Sequence, residues 1–230
     1  MRTVVPGIHR LDLGGVSAYL VEDGDGIAIV DTGRPGNADN ILEALTTLGR
    51  TPDDVTALLP THCHADHAGS LGALQAATNA PTYMHAADAA FVREGKAWRP
   101  WHPAPGPMNA IIFRMIDRTS HSIDPARVDH EVEDGEELDV CGGVVAVHVP
   151  GHCAGMVAWL LPRRGVLFVA DAAAHIGPLA LSPNYEDLEL GRASLRKLAA
   201  LDFETACFAH GRPIVSAASA RFRRKWGSAG

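Results

Sequence analysis

The stretch Thr61-His62-Cys63-His64-Ala65-Asp66-His67 directly follows the short apolar run Ala57-Leu58-Leu59-Pro60. Its first two histidines are two residues apart, so both imidazoles point to the same side of an extended segment. Its aspartate and its last histidine come in the turn that follows and can point elsewhere. Imidazole nitrogen and carboxylate oxygen are ligands for zinc, and also for iron or manganese. The stretch therefore predicts one segment that supplies ligands to two adjacent metal ions.

Three further candidate ligands also stand directly after apolar runs that read as buried strands. The candidates are His152, Asp171 and His210, and the runs that precede them are 145–150, 166–170 and 205–209. Ligands in α/β proteins are expected in crevices at the ends of strands. We therefore expect four strand ends to deliver histidine and aspartate side chains to one edge of the sheets.

Short apolar runs alternate with helical spacing along the whole chain. The pattern predicts strands at 19–22, 27–30, 55–59, 144–149, 157–161, 166–170 and 206–209, and helices at 37–48, 69–77, 108–116 and 185–201. Gly49 stands where the first helix should end. Neither an internal repeat nor a low-complexity linker divides the chain, so we expect a single domain of α/β (α+β) class over residues 1–230.

Residues 98–130 interrupt this pattern. The run Trp98-Arg99-Pro100-Trp101-His102-Pro103 and the prolines at 105 and 107 allow neither a helix nor a central strand. Helical spacing then resumes at 108–116, and a polar stretch runs from 117 to 137. We expect an insertion or lid whose 98–115 part forms an apolar wall for a hydrophobic acyl group or ring, or else a homodimer contact.

Composition and charge exclude several classes of function. The formal net charge is −7, and the short basic run at 221–225 is typical of a solvated helix end, so a nucleic-acid partner is not expected. The start of the chain has no apolar leader core, and no apolar stretch is long enough to span a membrane. The four cysteines lack the spacing of a disulfide framework. These features predict a cytoplasmic protein with a small-molecule substrate and no membrane partner.

The remaining histidines and cysteines near the motifs need separate interpretations. Cys63 and Cys153 adjoin candidate ligands, but the imidazole and carboxylate set is already complete, so we expect both thiols to pack rather than to bind metal. His175 follows Asp171 closely and is either a loop histidine or a residue that faces the substrate. The other histidines are expected at the surface or in the core, namely His9, His85, His102, His121, His130 and His148.

Taken together, these motifs resemble those of the metallo-β-lactamase-fold superfamily. Its His-x-His-x-Asp-His signature stands at 62–67, its Pro-Gly-His element at 150–152, its strand-end aspartate at Asp171 and its last histidine at His210. An early Val30-Asp31-Thr32-Gly33 also matches the Asp-x-Gly turn of these proteins. The match runs in the right order from 19 to 211.

The resemblance implies a four-layer αββα sandwich with a binuclear metal site at one edge. It implies one metal held by His62, His64 and His152, a second held by Asp66, His67 and His210, and Asp171 bridging both. Two divalent ions about 3.5 to 4 Å apart lower the pKa of a shared water enough to give a hydroxide nucleophile at neutral pH. Zinc is the expected metal, with iron or manganese as alternatives. Asp66 is then the expected acid for the leaving group, so Asp66 and Asp171 are the catalytic candidates.

Branches of the superfamily differ in the residues and additional domains that they contain. Asp171 argues against a lactam substrate, because the true β-lactamases place cysteine or serine near that point. Only 20 residues follow His210, whereas glyoxalase II proteins continue into a helical domain that binds glutathione. The layout is closest to that of the compact lactonases. Those proteins have a tyrosine where this chain has Ala174, and Tyr185 is the residue that could reach the site in its place.

The expected function is therefore hydrolysis of an ester-like bond, in a lactone, a thioester or a carboxyl ester. Three alternatives remain. The first is a mononuclear iron oxidoreductase that resembles the persulfide dioxygenases and uses only His62, His152 and Asp171. The second is a β-lactamase-like amide hydrolase, and the third is a non-catalytic binding module on the same scaffold.

Overall fold

Ser17–Asp23 and Gly26–Val30 each contain a continuous apolar run, whose side chains alternate between the two faces of the strand, and both faces are buried. Such strands must lie between two other layers. A computed structural model describes residues 1–24, 26–116 and 122–227 of the chain. In these residues Tyr19 and Val21 face a second sheet, whereas Leu20 shares a core with helix residues such as Ile41. The alternation therefore builds a sheet covered by helices on one side and by a second sheet on the other.

The strands and helices follow one another along the chain in two similar halves. The strands are Arg2–Val5 (β1), Ile8–Asp12 (β2), Ser17–Asp23 (β3), Gly26–Val30 (β4), Val55–Leu59 (β5), Tyr83–His85 (β6), His102–Pro103 (β7), His130–Val132 (β8), Glu137–Leu138 (β9), Val144–His148 (β10), Val157–Leu161 (β11), Val166–Phe168 (β12), Ala173–Ala174 (β13), Ala180–Leu181 (β14), Asn184–Tyr185 (β15) and Thr205–Cys207 (β16). The helices are Ala38–Thr47 (α1), Leu71–Thr78 (α2), Ala86–Arg93 (α3), Pro107–Ile116 (α4), Leu188–Ala199 (α5) and Ala218–Trp226 (α6).

Over the described residues, two five-stranded sheets form the centre of the fold. Their strand orders are β1-β2-β3-β4-β5 and β16-β12-β11-β10-β9. Neighbours are antiparallel except for β4 with β5 and β12 with β16, which are parallel. A parallel pair needs a crossover connection, which α1 supplies in the first sheet and α5 in the second. Helix, sheet, sheet and helix thus form the predicted four-layer αββα arrangement of α+β class.

Aromatic residues fill the space between the two sheets. Trp159 and Phe168 are fully buried there, and the Tyr19 ring meets Phe168 edge to face at 5.2 Å. The Tyr19 hydroxyl donates a hydrogen bond of 2.7 Å to the carbonyl oxygen of Phe208, so its polar end is satisfied inside the core. These contacts fix the two sheets against each other and so fix the edge at which the loops after their strands meet.

Several predicted boundaries differ from the structure, and two of these differences have a clear physical cause. The helix expected at 185–201 begins at Leu188, because Asn184 and Tyr185 pair with His102 and Pro103 as a short ladder. The strand expected at 166–170 ends at Phe168, because Ala170 has a positive φ of 56° and turns the chain into a short 3₁₀ segment. This turn points the chain at Asp171 out of the sheet.

Some sequence-based expectations fall outside the described residues. They are the start of the polar stretch at 117 and the interpretation of His121. Among the residues that are described, no helix is long and apolar enough to cross a membrane.

The loop that carries Pro150-Gly151-His152 packs closely against the start of α5. Gly151 has φ +130°, and a Cβ at this position would lie 2.2 Å from the backbone nitrogen of Gly191. Its carbonyl oxygen accepts a hydrogen bond of 2.9 Å from the backbone of Asp187. A side chain at position 151 would therefore separate this loop from the helix.

We expect Gly151→Ala to lower the free energy of unfolding by more than about 2 kcal/mol, because strain and backbone overlap act together. Chemical denaturation measures this. Gly135→Ala is the matched control, since Gly135 has φ +80° but open space around it. It should cost about 1 kcal/mol from the positive φ alone. Equal losses in the two variants would contradict the importance of the close approach.

Candidate metal centre

The loops that follow β5, β10, β12 and β16 bring all seven predicted site residues together. They form a first group of His62, His64 and His152 and a second group of Asp66, His67 and His210, and a set of His62, His67 and Asp171 connects the two. Their ligand-type atoms lie within 4.8 Å of one another in the sets His62, His64, His152, then His62, His67, Asp171, and finally Asp66, His67, His210. All except Asp66 and His210 are buried. Nitrogen and oxygen atoms of this kind suit divalent transition metals.

In the first group, three imidazole nitrogens converge on one point. His64 Nδ1 lies 3.0 Å from His62 Nε2 and 3.0 Å from His152 Nε2. The second group places Asp66 Oδ2 at 3.4 Å from His210 Nε2. Asp171 lies between the groups, with one oxygen 3.7 Å from His67 Nε2 and the other 3.6 Å from His152 Nε2.

Backbone and carboxylate acceptors orient three of the histidines. His67 Nδ1 donates to Asp31 at 3.0 Å, His152 Nδ1 to the carbonyl oxygen of Asn184 at 2.9 Å, and His210 Nδ1 to the carbonyl oxygen of Gly15 at 2.8 Å. A ring nitrogen bonded in this way carries the proton, so the Nε2 atom on the other side of a neutral ring presents its lone pair. This is the tautomer that a metal ligand needs.

The buried polar atoms provide a test of whether a metal fits. His67 Nε2 and Asp171 Oδ1 are buried without a hydrogen-bond partner among the described residues. Such atoms cost free energy unless something compensates them. A cation between them would satisfy both, so the donor set fits a metal ion at this point.

The two groups differ in their electrostatics. Burial, together with the neighbouring His152, lowers the pKa of His64 to about 3, and burial also lowers the pKa of His62. Burial acts on His67 as well, but Asp31, Asp66 and Asp171 outweigh it and raise its pKa to about 9. The first group is therefore a set of neutral donors, and the second is a carboxylate-rich pocket that favours positive charge.

A buried carboxylate, Asp88, ties the two ligand loops to each other. It accepts hydrogen bonds of 2.9 Å from the backbone nitrogens of Cys63 and Gly155, and of 3.0 Å from Cys153 Sγ. Arg99 pairs with it at 2.7 Å and also lies 3.4 Å from Glu186. Burial raises the pKa of Asp88, but the Arg99 guanidinium and these donors hold it below its usual value.

The two cysteines next to the ligand loops lie in this cluster. Their sulfur atoms are 3.7 Å apart, and both residues are fully buried. Burial raises the pKa of the Cys153 thiol well above its usual value. The expectation that both thiols pack, rather than bind metal, remains a prediction.

A cavity of about 460 Å³ opens above the two groups. This size suits a small ligand. Much of its wall is apolar and comes from the 98–116 segment and from the loops around β14, with Trp101, Met108, Ile112, Ala174, Ile176, Pro178, Ala180, Leu181 and Pro183. Trp101 also packs edge to face on His64 at 4.8 Å. Trp101, Met108 and Ile112 of the 98–115 segment thus line the cavity, and the interpretation of this segment as a substrate wall or a dimer contact stays a prediction.

Comparison with known proteins identifies the class. The family model described as "Metallo-beta-lactamase superfamily" matches residues 11–210. The chain belongs to the metallo-β-lactamase superfamily.

Particular relatives are distant. YobT of Bacillus subtilis (strain 168) is 29% identical over 73% of this chain and 66% of its own length. The probable metallo-hydrolase YflN of the same organism is 24% identical over 91% of this chain and 85% of its own length. The chain covers between 23% and 69% of the length of the first five curated relatives.

The solved structures agree with the fold. The metallo-β-lactamase SMB-1, bound to 2-mercaptoethanesulfonate, is 26% identical with a TM-score of 0.71, covering 91% of this chain and 79% of that chain. The four-layer arrangement is therefore that of the metallo-β-lactamase fold.

Several residues at the site, including Asp88, are not predicted from the sequence. Asn184 and Arg34 line the cavity, and Arg99 reaches the cluster below it. Arg34 follows the Asp31-Thr32-Gly33 turn directly, which is a weak signal of its position. Asn184 and Arg99 have no local signal, because pairing between distant segments places them.

Tyr185, considered as a tyrosine that reaches the site, takes a different position. Its ring is buried, and the ring centroid lies 6.1 Å from that of His152. Its hydroxyl donates a hydrogen bond of 3.1 Å to the carbonyl oxygen of Ala172 and accepts one of 3.0 Å from the backbone nitrogen of Ser182. It supports the wall of the site and does not line the cavity. His175 donates from Nδ1 to the carbonyl oxygen of Arg212 at 2.7 Å, as a loop histidine does.

We expect Arg99→Ala to lower the free energy of unfolding by about 3 kcal/mol or more, because it leaves the buried Asp88 charge without its cation. Arg99→Lys should cost less, since it keeps the charge but loses the planar fork. Denaturant titration measures both.

Arg93→Ala is the matched control for this prediction. Arg93 pairs with Glu131 at the surface, where both side chains are more than two fifths exposed. Such pairs contribute about 0 to 1 kcal/mol. If Arg99→Ala lowers the free energy of unfolding no more than Arg93→Ala does, the buried Asp88 charge does not depend on Arg99.

Proposed function

We propose that the protein is a metal-dependent hydrolase that uses two divalent ions to cleave an ester-like bond in a lactone, a thioester or a carboxyl ester. One observation carries the proposal: two groups of donor side chains, joined by Asp171, form the floor of a largely apolar cavity. The substrate is then a small molecule with an apolar portion. Zinc is the proposed metal, and iron and manganese suit the same ligands.

The proposed ligand set follows the two groups. His62, His64 and His152 would hold one ion, and Asp66, His67 and His210 would hold the other. Asp171 belongs to both, since its two oxygens face His67 and His152. Divalent ions in such a site lower the pKa of bound water towards neutrality and polarise a carbonyl oxygen.

Side chains of the cavity supply the proton transfers. No serine, threonine or cysteine is among the described residues that line the cavity, so no side-chain hydroxyl or thiol nucleophile is at hand. Asp66 lines it, and its side chain is 31% exposed. We propose that Asp66 accepts the proton that leaves the attacking water. It then donates this proton to the leaving group.

Asn184 is the proposed donor to the substrate carbonyl oxygen. The residue is 2% exposed, lines the cavity, and its Nδ2 has no hydrogen-bond acceptor among the described residues. Its backbone carbonyl oxygen accepts a hydrogen bond from His152 Nδ1, so the residue lies next to the first ligand group. An N–H group directed at a developing oxyanion stabilises the transition state more than the ground state.

The location of the protein in the cell and its oligomeric state are proposals as well. All four cysteines are buried free thiols, which suits a reducing cytoplasm. The exposed apolar residues Met108 and Ile111 on α4 are available either to a substrate or to a second copy in a homodimer.

We expect protein purified without added metal to contain two equivalents of divalent metal per chain. Asp171→Ala should lower this content and reduce kcat/KM by more than about 100-fold, because even residues that only orient ligands typically contribute 10- to 100-fold. Metal quantification and turnover on a panel of lactones, thioesters, aryl esters and phosphodiesters measure both effects.

The control for this prediction is Asp53→Ala, an exposed aspartate in the turn before β5. It should leave metal content and turnover unchanged. Full activity in Asp171→Ala would overturn the two-metal proposal. One iron per chain, with oxygen uptake on a persulfide, would instead indicate the mononuclear oxidoreductase.

We expect Asn184→Ala to lower kcat by about 100- to 1,000-fold, the typical effect of losing one oxyanion donor. KM and metal content should stay near those of the original protein, because the backbone oxygen that holds His152 is retained. Steady-state kinetics and metal analysis separate the two effects. A variant that loses metal together with activity would show that Asn184 acts on the ligands instead.

Hydrolysis of a β-lactam is a second candidate function. The likeness to SMB-1, itself named as a metallo-β-lactamase, favours it. Including penicillins, cephalosporins and carbapenems in the substrate panel distinguishes an amide hydrolase from an esterase.

A further inference from the structure

Arg34 stands at the rim of the cavity and is the only lysine or arginine among the described residues that line it. The residue follows the turn after β4, and its backbone is held on both sides. Its backbone nitrogen donates a hydrogen bond of 2.8 Å to Asn37 Oδ1, and its carbonyl oxygen accepts one of 2.6 Å from Ser70 Oγ. The side chain therefore leaves a fixed point of the backbone.

Among the residues that the structure describes, the guanidinium of Arg34 has no carboxylate partner. None of the ion pairs formed by described residues includes Arg34, and its one side-chain hydrogen bond runs from Nη1 to the carbonyl oxygen of Gly14 at 2.9 Å. A guanidinium has five N–H donors in a planar fork. Arg34 thus offers several N–H donors to a ligand, beside a cavity whose wall is largely apolar.

The position of this charge relative to the metal centre follows from two neighbouring carbonyl groups. The carbonyl oxygen of Gly14 accepts a hydrogen bond from Arg34 Nη1. The carbonyl oxygen of the next residue, Gly15, accepts one of 2.8 Å from His210 Nδ1. Arg34 therefore lies on the His210 side of the centre. Trp101, Met108 and Ile112 form the apolar wall contributed by the 98–116 segment.

We infer that Arg34 binds a carboxylate of the substrate. The substrate class is then an ester-like compound with an apolar portion against the 98–116 segment and a carboxylate at Arg34, so that the scissile bond lies over the metal centre. Arginine matches a carboxylate with two parallel hydrogen bonds, which sets orientation as well as affinity. The inference rests on the proposed function and names its substrate class.

The test uses matched thioesters of dicarboxylic acids, in a series of chain lengths, that end either in a carboxylate or in the uncharged carboxamide. We expect kcat/KM for the best carboxylate to exceed that of its carboxamide by about 10- to 100-fold, as for a charged hydrogen bond. Arg34→Gln should abolish this preference, chiefly through KM, and leave the carboxamide rate unchanged. Arg34→Lys should restore part of the preference.

Arg221→Gln, an exposed arginine on α6, is the matched control and should keep the full preference. A protein without preference for the carboxylate, or an Arg34→Gln variant that loses both substrates equally, would overturn the inference while ester hydrolysis itself stands.

A protein that cleaves no thioester would contradict the proposed function, and a direct binding measurement then decides the inference. Calorimetric titration with octanoate compares the original protein with Arg34→Gln, so that any binding of the carboxylate elsewhere is common to both. We expect at least about tenfold weaker binding in the variant. Equal affinity would overturn the role of Arg34.

Discussion

The site depends on one buried carboxylate, that of Asp88. It is fully buried and draws backbone donors from Cys63 in one ligand loop and from Gly155 in the other. A buried charge is tolerated only where donors and a counter-charge surround it, and Arg99 supplies the counter-charge. The two loops are thus held at a fixed separation before any metal binds, as pre-organised ligands require.

The floor and walls of the cavity have opposite physical character. Around His67, the carboxylates of Asp31, Asp66 and Asp171 outweigh burial and favour positive charge. The wall built by Trp101 and its neighbours is apolar. The substrate that we propose for this cavity therefore combines a polar, cleavable bond with an apolar portion, and it carries an anionic end for Arg34 at the rim.

Local patterns predict elements well where both faces are buried. The strands Val55–Leu59 and Val157–Leu161 coincide with their predicted bounds, because continuous apolar runs between turn residues leave one solution. Predictions fail where distant segments interact. The helix start at Leu188 is set by a ladder with His102 and Pro103, and no pattern near 185 encodes that partner.

The same division applies to the site. The sequence by itself determined the seven converging side chains, because period-two spacing in 62–67 and the position of the others at strand ends are local properties. Only the tertiary structure decided that Asn184 lines the cavity with a buried amide nitrogen that has no acceptor among the described residues, that Arg34 stands at the cavity's rim and that Arg99 neutralises Asp88. The physical reason is that each of these side chains acquires its role from a segment remote in the chain, and contact between remote segments exists only once the sheets and loops are packed.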